Sequence, residues 1–450
     1  MASASAIRTI GGAGHRYAPA MPTIPSVWRD RDFMRLWAAT TASMFGSFVT
    51  RTALPFAAIL LLGAGAGEVA ILRSAELVAG LAVGLVAGVW VDRLRRRPIM
   101  IWADLGRAVL LGTIPLAFAL NALTLIQLVV VAFGAAILTT FFDTADRAFL
   151  PTVIGRERLV EANATLTGSS SAAEFVGFGV GGWLIQILTA PIAIAVDAVS
   201  FLVSAVLLGR IRAAEPPPRP PEQQPSVVNE IRDGLRLTLR DPILRPLALA
   251  DAAVAGFWGV FGAVYLVFAT EIGFEPGVIG LIAAIGGLSS LAGATLAGRA
   301  VRRLGVARFF IGTMVLVTIG NAFIALTPDA ALLGLACLLA QQLLSDSSLT
   351  AFDVVAVSIR QATVDDRELG RVGASFHSLA MAAMLLGTVV GGVVAELVGV
   401  RAALVVAASG GPVAIAILWF SRIRRMHDLP AGLRRPDAAV IAGDDVPLSE

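Results

Sequence analysis

Twelve separate stretches of this 450-residue chain stay apolar for about twenty residues each. That is the length a helix rising about 1.5 Å per residue needs to cross a bilayer core of about 30 Å. They cover residues 36–61, 68–90, 98–120, 123–145, 164–188, 190–210, 245–269, 277–298, 307–327, 331–355, 373–397 and 402–421. The expectation is an all-α integral membrane protein. Composition agrees, with 57% of residues hydrophobic and 15% charged, against about 25% charged in soluble chains. A balance of 35 basic against 32 acidic residues leaves no footprint for nucleic acid. The single cysteine, Cys337, lies inside an apolar run, which excludes an internal disulfide and a cysteine metal cluster. Three histidines, with no His-Glu-x-x-His and no Gly-x-Ser-x-Gly, supply neither a metal site nor a nucleophile, so neither an enzyme nor a bound cofactor is expected.

The arginines set the orientation. The N-terminal tail carries Arg8, Arg16, Arg29, Arg31 and Arg35, and the turn after the second run, within "GVWVDRLRRRPIMIWADLGRA", carries Arg93, Arg95, Arg96 and Arg97. The alternate connections "GAGAGE", "NALT", "LTA", "TEIGFEPG" and "TPDA" carry none, and the one before the twelfth run holds only Arg401. By the positive-inside rule the protein spans a cell (inner or plasma) membrane with both termini cytoplasmic. The first 34 residues lack an apolar core, so no cleavable signal peptide is expected.

Halfway along, "EPPPRPPEQQPS" (215–226) reads as an extended linker. After it Val227, Ile231, Leu235 and Leu239 recur every four residues, the pattern of an amphipathic helix on the inner membrane surface. The chain thus divides into a cytoplasmic tail (1–34), six spans (35–211), a linker with its surface helix (212–242), six more spans (243–422) and a tail read as disordered (423–450). The halves are repeats at one offset. Gly88 has Gly298 at a distance of 210, Asp143 has Asp353, and Gly177, Gly181 and Gly182 have Gly387, Gly391 and Gly392.

With these features the chain resembles, from about Arg29 to Arg425, the major facilitator superfamily, and within it the branch of exporters similar to the enterobactin exporter and the macrolide-efflux proteins. The turn after the second run matches the superfamily's signature loop at Gly88, Asp92, Arg93, Arg96 and Arg97. The resemblance implies twelve helices in two pseudo-symmetric six-helix bundles. It also implies a monomer in contact with membrane lipids that exports a small-molecule substrate, coupled to protons. Asp92 would dock on the eleventh helix and latch the cytoplasmic side in the outward-facing state. The residues alone leave two readings, a latch or a positive-inside anchor, though an anchor has no use for Asp92. The second-half copy has Arg302 where Asp92 would fall. In the branch's antiporters a Gly-Pro-x-x-Gly-Gly run on the fifth helix goes with export. Here Phe178 stands in place of the proline, so Gly177, Gly181 and Gly182 keep the close packing but not the kink.

Ionisable groups at bilayer depth cost about 2.5 to 3.5 kcal/mol on the mildest scale, so each needs a partner or a wet cavity. Arg51, Arg73, Glu76, Asp104, Arg107, Glu174 and Asp197 lie there in the first half, and Asp251 and Asp346 in the second. Asp104 with Arg107, and Arg73 with Glu76, are spaced to pair on their own helices. Arg51 and Glu76 share a depth on neighbouring helices, as a proton switch or as a fixed pair. Glu174 has no basic residue on its helix; it either stays protonated in a packed interface or exchanges protons in a cavity. In the second half Phe257, Trp258, Phe261 and Tyr265, with Gln341, Gln342 and Asp346 and more weakly His377, read as lipid-facing packing or as the wall of a cavity for an amphipathic substrate. Importer, lysophospholipid flippase and non-transporting scaffold are the rival readings. Asp92→Asn keeps the shape of the side chain and removes its charge, so insertion should be retained while transport falls strongly. Near-normal transport by a well-expressed variant would leave the loop as an anchor.

Overall fold

The computed structural model describes residues 26–215, 227–365 and 367–426. The proline-rich linker and most of both tails fall outside the described residues. Inside hydrocarbon every backbone N–H and C=O must find its partner within the segment, and the described chain is helical almost throughout, with no strand among the described residues. The spans are α1 (Arg31–Leu62), α2 (Ala66–Arg93), α3 (Arg96–Ala119), α4 (Leu125–Ile154), α5 (Leu159–Leu188) and α6 (Ala190–Gly209), then α7 (Leu244–Glu271), α8 (Pro276–Leu304), α9 (Val306–Leu326), α10 (Leu332–Thr363), α11 (Leu369–Val398) and α12 (Val400–Trp419). Eleven are long and apolar enough among the described residues to cross a membrane, and the 28-residue α2 completes the set. Their outward faces are apolar and bare: Val109 is 68% exposed, Val130 59% and Leu397 79%. In water such a surface would drive association.

Local signals set the ends. Asp30 accepts the N–H groups of Asp32 and Phe33 and so caps α1, and the same carboxylate pairs with Arg158 at 3.1 Å. Gly63 closes α1 in the left-handed region, at φ 68. The surface helix Val227–Arg240 lies between the halves. Gly234 and Thr238 are buried while Leu239 is exposed. Gly234, lacking Cβ, rests against the Arg371 carbonyl and Ser375 of α11, so backbone approach joins the helix to the second bundle.

Two six-helix bundles share one core at one end. Away from the arginine-rich turns a single apolar core runs through both, with Val49, Leu72, Ile185, Val264, Ile279 and Leu404 among its members. At the arginine end it splits in two, one part around Phe33, Met100 and Phe149, the other around Leu247, Phe310 and Phe352. Glycines make the close approaches. Gly177 and Gly181 seat α5 on Phe48 and Val49 of α1, and Gly387 and Gly391 seat α11 on Gly256 and Val260 of α7. The third glycine of each trio crosses between bundles: Gly182 meets Pro276 and Gly280 of α8, and Gly392 meets Gly67 and Ala70 of α2.

These contacts separate two kinds of substitution. Overpacking a tight site costs about 1 to 3 kcal/mol. Gly387→Val should therefore lower the melting temperature of the whole protein. Gly182→Val should instead leave each bundle packed and part the bundles, exposing Ala283→Cys, in a Cys337→Ser background, to an impermeant thiol reagent from the end that is otherwise shut. Equal melting and unchanged labelling for both variants would contradict this division.

Candidate functional site

A cavity of about 860 Å³ lies between the bundles. Arg51 of α1, Arg73 of α2, and Glu174 and Phe178 of α5 form one wall. Trp258, Phe261 and Tyr265 of α7 with Gln342 and Asp346 of α10 form the other, and Gly280, Ala283 and Gly287 of α8 keep the space between them clear.

The charged wall is built by helix packing. Gly177, one turn beyond Glu174, lets α5 close on α1, bringing Glu174 within electrostatic reach of Arg51. The Arg51 guanidinium lies 6.0 Å from the Phe48 ring, which tilts against Phe178 at 5.4 Å. Arg73 pairs with Glu76 at 3.2 Å, and its other amino group donates to the Arg51 carbonyl at 3.2 Å. In this conformation Glu76 is paired with the arginine three residues before it on its own helix, the local pair expected from spacing, and among the described residues Arg51 has no ion pair.

On the opposite wall the rings form a ladder, Trp258 to Phe261 at 4.9 Å and 31°, then Phe261 to Tyr265 at 4.7 Å and 29°. Three expected cavity residues stand elsewhere. Phe257, one step round the helix from Trp258, packs against Gly410 of α12. Gln341, one step from Gln342, is fully buried and its amide meets no partner. His377 is exposed towards the arginine end of α11 and does not line the cavity. The structure adds Thr52, Ser171, Ser290 and Thr350. Isolated hydroxyls are common in membrane helices, where they bond back to their own carbonyls, so they carried no sequence signal.

Other charges at depth hold the first bundle together. Asp104 and Arg107 pair while almost fully buried. Arg107 sits between the Phe142 and Phe201 rings at 4.5 and 4.1 Å, and Asp197, also buried, accepts the Ser200 hydroxyl at 3.0 Å in a space that Gly46 leaves open. In the arginine-rich turn, Arg97 donates to the last carbonyls of α6, Leu208 at 2.8 Å and Gly209 beside it, while Glu215 accepts the Arg96 and Arg97 N–H groups at 2.6 and 3.0 Å. Arg93 is exposed, Gly88 meets nothing within 4 Å, and the Asp92 side chain falls outside the described residues. At the shut end Glu396 of α11 accepts the Gly67 N–H at the start of α2 at 3.1 Å. Gln186 of α5 likewise accepts the Gly277 N–H at the start of α8 at 3.0 Å and donates to Glu275 at 2.6 Å. Both members of these clasps stand 210 residues apart.

Residues 25–439 match the family described as transmembrane secretion effector. The multidrug efflux pump Tap of Mycolicibacterium fortuitum is 28% identical over 382 residues, covering 82% of this chain and 90% of that one. Macrolide efflux protein A of Streptococcus pyogenes is 24% identical over 391 residues, covering 82% and 90%. Among solved structures, a bacterial homologue of the iron transporter ferroportin in an inward-facing state superposes with a TM-score of 0.68 at 19% identity, over 88% of this chain and 98% of that one. The nucleoside transporter NupG also gives 0.68, at 12% identity, over 86% and 97%. At such identities the structures speak for the fold alone.

The separation of structural from cavity charges is testable. Asp104→Asn leaves Arg107 buried beside fewer carboxylates, and breaking a buried pair costs about 3 to 5 kcal/mol. Its melting temperature should fall by several degrees while the folded fraction keeps wild-type transport per molecule. Loss of transport without loss of stability would place Asp104 in the working site.

Proposed function

The chain belongs to the transmembrane secretion effector family of the major facilitator superfamily, and from that premise we propose that it exports small amphipathic compounds from the cytoplasm by alternating access, driven by proton antiport. The observation that carries the reading is the cavity itself. Gly182 and Gly392 bring the bundles together at one end, the apolar core divides in two at the arginine end, and the cavity is walled by charge on one side and aromatic rings on the other, which supports a cavity that opens towards the arginine end. With the arginine end and both termini in the cytoplasm, this is the state that loads substrate from inside a plasma membrane. A monomer encloses the whole cavity, and lipid covers its outer face.

In the opposite state the clasps at Gly67 and Gly277 part and the arginine ends approach, with Gly88 and Asp92 docking on α11. Gly177 and Gly181 clamp α5 to α1, so Arg51 and Glu174 travel together. What alternates is the side from which water and protons reach Glu174. The aromatic ladder offers flat apolar contact area to a substrate body, in keeping with drug-like cargo such as the names of Tap and macrolide efflux protein A describe.

Everted membrane vesicles with an imposed proton gradient test this. Wild-type protein should accumulate substrate, and an uncoupler should abolish accumulation. Glu174→Gln should abolish uphill accumulation and retain downhill exchange. Uphill transport of normal rate by Glu174→Gln would move the proton site to another group, and uncoupler-insensitive accumulation would overturn antiport.

A further inference from the structure

α10 is not a regular helix where it meets the cavity. Gln342–Asp346 forms a π turn, a geometry that is rare and concentrated at functional sites because it costs backbone hydrogen bonding. The neighbouring helices hold it. Ser289 of α8 donates to the Gln342 carbonyl at 2.8 Å, the Gln342 amide donates to the Ile282 carbonyl at 3.2 Å, and Ser345 lies 3.0 Å from the Asn321 amide oxygen of α9. Gly286 of α8 gives the turn its room. A Cβ there would overlap both the Gln342 amide and the Asp346 carboxylate.

The turn delivers Asp346 into the cavity without a cation. Among the described residues it has no ion pair, and the charge acting on it is a second carboxylate, Glu174, across the cavity. The arginines do not compensate for it, since Arg73 is paired with Glu76 and Arg51 acts on Glu76 and Glu174. Five charged groups stand in and behind the walls: Arg51, Arg73, Glu76, Glu174 and Asp346. With all of them ionised they sum to one negative charge, and the acid left over is Asp346. Tyr265, at the end of the ladder of Trp258 and Phe261, lines the same cavity. Stacked ring faces carry negative potential and attract cations within about 6 Å.

We propose that the π turn of α10 and the aromatic ladder of α7 form a subsite for an organic cation, the positive charge of the cargo lying between Asp346 and the ring faces. This rests on the reading of the cavity as the transport cavity, and it names the class of cargo. Gly286 acts as a positioning residue, since its missing side chain lets Asp346 lie where the cation binds.

The test uses two hydrophobic ions of the same size and opposite charge, tetraphenylphosphonium and tetraphenylborate. Binding to the full-length protein in detergent is measured by equilibrium dialysis and corrected by the signal that survives an excess of unlabelled ion. The phosphonium should bind at least about tenfold more tightly, a difference of about 1.4 kcal/mol. Asp346→Asn should remove that preference and leave borate binding unchanged, and Gly286→Ala should weaken phosphonium binding alone. Asp346→Glu, which keeps the charge, should recover part of it and serves if the asparagine variant folds poorly. Equal or inverted preference in the wild type, or an undiminished preference in well-folded Asp346→Asn, overturns the subsite. Vesicle transport is scored separately. Charge-selective binding without export would sink the export reading and keep the subsite, whereas export of uncharged compounds with no charge preference would do the reverse.

Discussion

The first N–H groups of a helix have no partner within it, and at the shut end of this protein α2 and α8 each draw one such partner from the opposite bundle. Glu396 supplies one and Gln186 the other. Much else follows from that arrangement. A bundle that satisfies its neighbour's helix start must lie within hydrogen-bond reach of it, and only glycine allows the approach, hence Gly67, Gly182, Gly277, Gly280 and Gly392 at the crossings. With the bundles pinned at one end, their apolar cores are shared there and separate at the other. The cavity lies between the bundles, and its end wall is the single apolar core shared by both halves.

Charge then divides into three uses according to what surrounds it. Between α3, α4 and α6, Asp104, Arg107 and Asp197 are enclosed by protein and serve packing. In the arginine-rich turn, Arg97 and Glu215 complete the ends of α6 and α3, which gives the Arg97 guanidinium of the signature loop a local partner. Among the described residues, the charged side chains that line the cavity are Arg51, Arg73, Glu174 and Asp346. The same residue types at the same depth thus differ in role because one set faces rings and backbone while the other faces water.

How much of this was legible in the sequence depends on the reach of each signal. Span length is imposed by the bilayer, so the twelve helices could be read from apolar runs, and the offset of 210 exposed the two bundles. Neighbours on one helix were equally readable, as with Asp104 and Arg107. Cross-helix detail was not. Apolar-run boundaries carry no rotational phase, so Phe257 could not be told from Trp258, or Gln341 from Gln342, although a step of one residue turns a side chain by about 100°. The π turn left no composition cue, because what makes it is the pair of hydroxyls, Ser289 and Ser345, that bond it to helices far away in sequence. The clasps could have been found. Gln186 with Glu396, and Gly67 with Gly277, obey the offset that marked the other repeats.

That offset relates backbones more faithfully than chemistry, and the clasps show what the difference does. One is a carboxylate on a helix start, the other a carboxamide. Hydrogen bonds to charged acceptors contribute about 1.5 to 3 kcal/mol and neutral ones about 0.5 to 1.5, and solvent access keeps both towards the low end, since Glu396 is exposed. Together they stabilise the shut end by a few kcal/mol. Moving a two-state equilibrium from 1:99 to 99:1 takes about 5.5 kcal/mol of differential binding. The two bonds alone therefore amount to less than the differential binding that such a shift takes. Two helix starts, each bonded to one exposed side chain, add to the closure that the glycine crossings and the shared apolar core provide.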